Sequence, residues 1–175
     1  MNLDEFEKVH FSIEGDLTEE KVPILSLLAK LGNQYFIRQI EYSATYHLAN
    51  VFVSNLVLSL LDIGTSYFKQ MGLTEEQALN AIIPLVEGNI KNISEKGFVN
   101  SLTGPIARGD VKTVKKHLSV LKEEDKDLYQ MLSLNLLKLV SYKENGGNVN
   151  ENALSQLLKH SEKYSGISKL LGGLE

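Results

Sequence analysis

Residues 9–40, VHFSIEGDLTEEKVPILSLLAKLGNQYFIRQI, decide how the fold begins. The stretch VHFSI at 9–13 alternates in polarity and is rich in β-forming residues, which is typical of a strand. Apolar side chains then recur at helical spacing over 18–31, and Gly32 supplies a helix stop. YFIRQI at 35–40 predicts a second strand. Two strands joined by a helix in so few residues predict a βαβ unit, whose strands run parallel in one sheet.

After residue 41 the sequence carries no strand pattern and predicts five helices. Their ranges are 42–71, 75–93, 110–122, 126–143 and 151–160. Thr74 and Gln77 form a capping-box pattern for the second helix. Asp110 is suited to cap the third, whereas Pro84 is expected to kink or divide the second. The sequence therefore predicts a mainly α chain with a short βαβ unit in front.

The predicted sheet is unusually small. Two parallel strands do not make an independently stable sheet, because parallel sheets need several strands with both faces covered. We therefore expect the strands at 9–13 and 35–40 either to join a sheet of another chain or to belong to a sheet whose other strands are missing. The chain is accordingly expected to be truncated at its N-terminus.

Composition excludes several classes of protein. The chain has 175 residues, 43% hydrophobic and 23% charged, which fits one soluble domain or one domain with a fragment of another. A net charge of −4 argues against a nucleic-acid partner, because such proteins need a basic surface. The absence of cysteine excludes disulfides, thiolate zinc sites and a cysteine nucleophile. The first ten residues are acidic and show no secretory signal, so we expect a cytoplasmic protein.

One apolar segment raises the question of a membrane. Between Tyr42 and Phe68 the only fully charged residue is Asp62. Polar residues such as His47 and Ser54 interrupt the segment, and no basic flank would orient it in a bilayer. We therefore expect no membrane partner, and a helix that is buried on most sides.

The chain carries no dinucleotide or P-loop fingerprint, no metal-ligand spacing and no nucleophile elbow. A polar strip is nevertheless present in YHLANVFVSN, residues 46–55, where His47 and Ser54 share a helix face with Asn55 beside it. Polar groups on an apolar helix need hydrogen-bond partners. Two interpretations remain open at this point, a polar seam between helices or across a dimer, and a strip that faces a ligand cleft.

The stretch SLTGPIARGD, residues 101–110, predicts a shaped loop before a helix. Its backbone N–H groups and Arg108 are suited to hold an anion. Alternatively it is a connector in which Arg108 pairs with Asp110 or caps a helix. Thr113 and His117, one turn apart, are expected on a solvated helix face. The larger aromatic side chains are expected in the core, namely Phe36, Phe52, Tyr67, Phe68 and Tyr129.

Four sequence blocks carry a resemblance to a known family. They are FSIEGD, YHLANVFVSNLVLSLLD, GL…A…PLVEGNIKNI, and LTGPIARGD with TVKKHL, in this order between Val9 and Tyr142. The chain resembles the C-terminal part of a bacterial oxidoreductase-like family with an N-terminal Rossmann NAD(P)-binding domain. The C-terminal helical domain of that family, of unknown function, is similar to those of 6-phosphogluconate dehydrogenase and pyrroline-5-carboxylate reductase. The resemblance implies a Rossmann remnant at 1–40 and a helical substrate and dimerisation domain at 41–175.

The resemblance also implies a site. Relatives transfer hydride between NADP or NAD and a small substrate in the cleft between their two domains. His47 is then expected as an acid/base or orienting group and Asn55 as its hydrogen-bonding companion in catalysis. Tyr46, Thr103 and Arg108 are expected to bind the substrate, with Arg108 holding a carboxylate or phosphate. No metal is expected.

The family's glycine-rich phosphate loop should lie about a hundred residues upstream of FSIEGD, within the usual length of a Rossmann domain. We therefore expect the isolated chain to bind no NAD(P), to be inactive alone, and to form a homodimer through its helical domain. The competing hypothesis is a non-enzymatic helical interaction module. An enzyme half should leave His47, Asn55 and Arg108 open to a cleft, whereas a module should bury them in hydrogen-bonded contacts.

Overall fold

The structure, a computed structural model, describes residues 8–16, 18 and 21–173. These form two compact units that divide between Ile82 and Ile83. The elements in chain order are β1 (Phe11–Glu14), α1 (Val22–Lys30), β2 (Tyr35–Arg38), α2 (Ser43–Val53), α3 (Asn55–Gln70), α4 (Glu75–Ser101), α5 (Gly104–Arg108), α6 (Val111–Val120), α7 (Lys126–Glu144), α8 (Ala153–His160) and α9 (Glu162–Leu170). The prediction of a mainly α chain with a small parallel sheet in front is confirmed. The boundary at 40/41, which the resemblance implies, concerns domain identity and stays a prediction.

The βαβ unit forms as the sequence pattern predicts. Strands β1 and β2 pair in parallel, from Phe11 opposite Tyr35 to Glu14 opposite Arg38. Their carboxyl ends therefore meet at one edge of the sheet. Behind them Asn33 is 5% exposed, and its side-chain amide donates to the Val9 carbonyl oxygen over 3.1 Å. This bond ties the turn before β2 to the residues before β1.

The predicted long helix at 42–71 is two helices. Helix α2 ends and α3 begins at Ser54, whose backbone leaves the helical region (φ −120°, ψ −76°). The Ser54 hydroxyl lies 2.6 Å from the Asn50 carbonyl oxygen and 3.0 Å from Asn55 Oδ1. A serine hydroxyl that bonds back to the preceding turn is a known cause of local helix distortion.

The expectation that this segment is buried on most sides is wrong for this chain. Large apolar side chains stand open along α2 and α3, among them Leu48, Phe52, Val53 and Leu58, each more than half exposed. By length and composition alone, Ile40–Gln70 also qualifies as a membrane-crossing helix, with a mean hydropathy of 1.5 in a window that is 6% buried. Core helices of soluble proteins pass the same test, so this property does not decide what covers the segment.

Helix α4 begins as predicted and is interrupted elsewhere than predicted. The backbone N–H of Thr74 donates to Gln77 Oε1 over 2.9 Å, and the N–H of Gln77 donates to Thr74 Oγ1 over 3.2 Å, which is a capping box. The helix passes through Pro84, and its non-helical residue is Gly97 (φ 72°, ψ 170°). Glycine adopts this positive φ without a Cβ clash.

The second unit is built around one apolar core. Its buried members come from α5, α6, α7 and the C-terminal segment, and they are Ile106, Val114, Leu137, Val140, Tyr164, Ile167 and Leu171. The Tyr164 hydroxyl donates to the Ala107 carbonyl oxygen over 2.9 Å. Helix α9, which lies beyond the last of the five predicted helices, thereby fixes the stretch 101–110 in place.

Candidate functional site

A groove of about 520 Å³ opens in the first unit at the carboxyl end of β2. We call it the Tyr46 groove. It is lined by Phe36, Ile37, Arg38, Gln39, Tyr42, Thr45, Tyr46 and Ala49. The last residues of β2, the turn that follows it and the first turns of α2 supply these side chains, so the groove lies at the junction between the sheet and the helices.

Arg38 organises one wall of the Tyr46 groove. Its Nη1 lies 2.5 Å from a carboxylate oxygen of Glu14, the residue opposite it in the parallel register. Its Nε donates to the Ser12 hydroxyl over 2.9 Å, and Nη1 donates to the Ser43 hydroxyl over 2.6 Å. Ser43 also contacts the Glu14 carboxylate. The network therefore joins the ends of both strands to the first residue of α2.

The charges in this network compensate each other. The Ser43 hydrogen bond and then the Arg38 hydrogen bond hold the pKa of Glu14 below its usual value, although desolvation acts in the opposite direction. Glu14 is therefore ionised at neutral pH and neutralises the guanidinium beside it. The wall of the Tyr46 groove carries an ion pair with little net charge.

Aromatic rings form another part of the groove. The Arg38 guanidinium lies 4.9 Å from the centroid of the Tyr46 ring, within cation–π range. The Phe36 ring lies between Tyr46, 5.9 Å away, and His10, 5.8 Å away, with tilted planes. Phe36 is 44% exposed and Phe52 58% exposed. The expectation that these two rings lie in the core is therefore wrong, and Phe36 instead lines an open groove.

Three of the five expected site residues lie in the first unit. Tyr46 lines the groove and is half-buried, whereas His47 and Asn55 are exposed on the surfaces of α2 and α3. Asn55 is the first residue after the helix break, and its side chain contacts Ser54. The exposure of His47 and Asn55 disagrees with a polar seam between helices of this chain. It leaves open a seam across a dimer and a strip that faces a ligand cleft.

The other two expected site residues, Thr103 and Arg108, lie in the second unit. Thr103 lines a cavity of about 260 Å³ together with apolar side chains such as Phe98 and Leu136. In that cavity the Ser101 hydroxyl is buried, and it has no hydrogen-bond partner among the residues that the structure describes. Arg108 ends α5 and is exposed. The five expected site residues thus belong to two units, and their convergence stays a prediction.

The stretch 101–110 contains a short helix, α5, and Gly109 ends it in the left-handed conformation (φ 70°). Asp110 then caps α6, as predicted. Its carboxylate accepts the Thr113 backbone N–H over 3.0 Å and the Thr113 hydroxyl over 2.7 Å. These bonds, with a smaller contribution from the Arg108 charge, lower the pKa of Asp110. The Asp110 carboxylate thus already caps the N-terminus of α6, so the expected anion binding by this stretch depends on Arg108 and stays a prediction.

Thr113 and His117 do not lie on a solvated face. Both are half-buried, and His117 Nδ1 lies 3.0 Å from the Tyr129 hydroxyl oxygen. Burial raises the pKa of Tyr129, while a hydrogen bond from Ser133 opposes this change. The contact between His117 and Tyr129 connects α6 to α7, so it supports the packing of these two helices.

Sequence reasoning missed Glu14, Arg38 and Phe36. The available signal was the pairing of the two predicted strands, since a parallel register brings the ends of FSIE and YFIR together. It also missed a cavity of about 330 Å³ between α7, α8 and α9, where Glu144, His160 and Lys163 are among the lining residues. Within the described part of the chain, no group of three or more His, Asp or Glu is placed to hold a metal ion.

Comparison with known proteins gives a family and one solved relative. Residues 9–136 match the family described as a domain of unknown function, DUF2520. The crystal structure of protein TM1727 from Thermotoga maritima is similar, with 28% sequence identity and a TM-score of 0.57. The match covers 83% of this chain and 56% of that chain, so the chain spans little more than half the length of this relative. No curated protein matches the chain.

Proposed function

We propose that this chain, which belongs to the DUF2520 family, is the helical substrate-binding and dimer-forming part of a cytoplasmic NAD(P)-dependent oxidoreductase. Its helices correspond to a domain of the 6-phosphogluconate dehydrogenase C-terminal type, and its βαβ unit to the end of a Rossmann sheet. NADP or NAD is held by a dinucleotide-binding half outside this sequence, and the chain alone is inactive. The substrate is a small molecule.

The Tyr46 groove is the observation that carries this proposal. In open α/β sheets, ligands bind outside the carboxyl ends of the strands. The groove lies at the carboxyl end of β2, and its Arg38 is paired with Glu14 at the carboxyl end of β1. A side chain that resemblance assigns to substrate binding, Tyr46, lines this groove.

Reduction of a carbonyl or imine by hydride requires a proton as well. An imidazole supplies it near neutral pH, and His47 is exposed on the helix that carries Tyr46. The Asn55 amide offers both a donor and an acceptor to a polar substrate group. In the second unit, Thr103 and the exposed Arg108 are the further substrate-binding residues that the resemblance implies, and Arg108 is suited to pair with a carboxylate or phosphate.

The test combines the chain with the dinucleotide-binding half of a longer family member and follows NADPH oxidation with a panel of small carbonyl and imine substrates. We expect His47→Ala to lower kcat by about a hundredfold or more, the usual contribution of a general acid. His160→Ala is the matched control, since His160 is also exposed but lies on α8 in the second unit. Equal effects of the two substitutions, or no turnover with any panel member, would contradict the proposal.

A second candidate is a non-enzymatic interaction module. The exposed apolar surface of α2 and α3 favours it, because such surfaces mark sites of protein association. Native mass spectrometry with NADPH and a panel of ligands separates the candidates through His47→Ala and Arg108→Ala. Loss of the dimer in these variants supports the module, whereas an intact dimer that loses ligand supports the substrate site.

A further inference from the structure

We propose that the Tyr46 groove binds a flat, uncharged aromatic ring of the substrate. The inference rests on the proposed function, since it names the chemistry that the substrate cleft accepts. The side chains that line the groove select a flat ring, and the pairing of Arg38 with Glu14 selects an uncharged one.

The groove has the size and lining of a ring site. Its volume of about 520 Å³ lies within the range of small-molecule pockets. The rings of Phe36, Tyr42 and Tyr46 line it together with the aliphatic side chains of Ile37 and Ala49. Aromatic side chains bind a flat ring better than a puckered one, because offset and edge-to-face contacts need a π face.

The electrostatics of the groove select an uncharged ring. An arginine at such a place would ordinarily attract a carboxylate, but the Arg38 guanidinium already contacts Glu14 at 2.5 Å and donates to Ser12 and Ser43. An anionic ring would have to compete with the Glu14 carboxylate for the same charge. A cationic ring would have to compete with the Arg38 guanidinium, which already lies 4.9 Å from the centroid of the Tyr46 ring, for the face of that ring. Each charged form therefore meets a competing group of the chain that an uncharged ring does not.

The test uses the full chain and four probes, followed by NMR chemical-shift titration of the tyrosine rings. The probes are benzamide, benzoate, cyclohexanecarboxamide and 1-methylnicotinamide, which are flat and neutral, flat and anionic, puckered and neutral, and flat and cationic. We expect benzamide to bind with a Kd at least about fivefold lower than each of the others, which is within the range that one aromatic contact contributes.

Two substitutions, one of them with a matched control, test which side chains make the groove select a flat, uncharged ring. Tyr46→Leu keeps an apolar side chain but removes the ring, and we expect it to weaken benzamide about fivefold. Tyr35→Leu is the matched control, because Tyr35 lies on β2 in the same unit and is exposed but is not among the residues that line the groove. Glu14→Gln removes the charge that compensates Arg38, so we expect the preference to shift from benzamide towards benzoate. Thermal unfolding of each variant confirms that it is folded.

Four results would overturn the inference. Three of them are no saturable binding of benzamide, equal loss of affinity in Tyr46→Leu and Tyr35→Leu, and an unchanged preference in Glu14→Gln. Tighter binding of 1-methylnicotinamide than of benzamide would also overturn it, because the groove would then suit the oxidised nicotinamide rather than a substrate ring. A negative result in this ring-binding test would not change the result expected in the NADPH oxidation assay. Conversely, ring binding without NADPH turnover in the combined protein would reject the proposed function and keep the groove.

Discussion

Glu14 and Arg38 owe their contact to strand register. The parallel alignment places each at the last position of its strand and opposite the other. Arg38 presents a planar fork of donors, and Glu14, Ser12 and Ser43 accept from it or contact it. A lysine at position 38 would keep the charge but lose this fork. At the scale of residues, this arginine connects the sheet to the helix that carries the expected site.

The lowered pKa of Glu14 predicts a pH-dependent contribution to stability. Because the folded state binds the Glu14 proton less readily than the unfolded state, stability rises with pH across this titration. The contribution is fully present above the usual pKa of a glutamate and is lost as the pH falls through the lowered one. We therefore expect the free energies of unfolding of the natural chain and of Glu14→Gln to converge in acid, measured by urea denaturation from neutral to acid pH.

The control for this experiment is Glu41→Gln, which removes an exposed carboxylate from the turn before α2. The free energy of unfolding of Glu41→Gln should differ from that of the natural chain by an amount that changes less with pH than the corresponding difference for Glu14→Gln. A constant gap between Glu14→Gln and the natural chain at every pH would show that the Arg38 network does not depend on the charge of Glu14.

At the scale of elements, Gly109 joins two helices in a crowded place. It ends α5 with φ 70°, and a Cβ at this position would lie 2.5 Å from Lys163 Cδ. Lys163 in turn places its Nζ 4.5 Å from the Tyr164 ring centroid. The close approach of α9 to the α5–α6 junction therefore depends on the missing side chain of one glycine.

Substitution of Gly109 should be more costly than substitution of a glycine that also has a positive φ but has free space around it. Gly72 is that control, because it has φ 90° and, among the described residues, no atom lies within 4 Å of where its Cβ would be. We expect Gly72→Ala to cost about 1 kcal/mol, the penalty of the left-handed region, and Gly109→Ala to cost more. Urea denaturation of Gly109→Ala, Lys163→Ala and the double variant gives the coupling energy. A coupling energy of zero would mean that the Lys163 side chain moves away from the new Cβ at no cost in stability.

The elements also show what the sequence could and could not predict. The capping box at Thr74, the Asp110 cap and the βαβ order were predictable, because each depends on residues close together in the chain. The break at Ser54 was not, because its hydroxyl competes with the backbone inside an apolar pattern that continues across it. The role of Arg38 was hidden as well, since it depends on strand register rather than on local spacing.

At the scale of the whole molecule, α2 and α3 leave an apolar surface open. Its most exposed large members include Phe52 at 58%, Val53 at 74% and Leu58 at 66%. Soluble chains rarely leave a large continuous apolar surface in water, because burying it in a partner is favourable. We propose that a second copy of this chain covers it, since homodimers with a two-fold axis are the commonest oligomers.

This proposal predicts the mass of the protein in solution. Sedimentation equilibrium of the natural chain should give twice 19.5 kDa. Leu58→Lys should shift it towards a monomer, because a buried unpaired ammonium at the interface is costly. Val149→Lys is the matched control, since Val149 is 76% exposed in a loop of the second unit and should leave the dimer intact. A monomeric natural chain that instead floats with lipid vesicles would replace the dimer by a membrane contact, which Ile40–Gln70 is long and apolar enough to make.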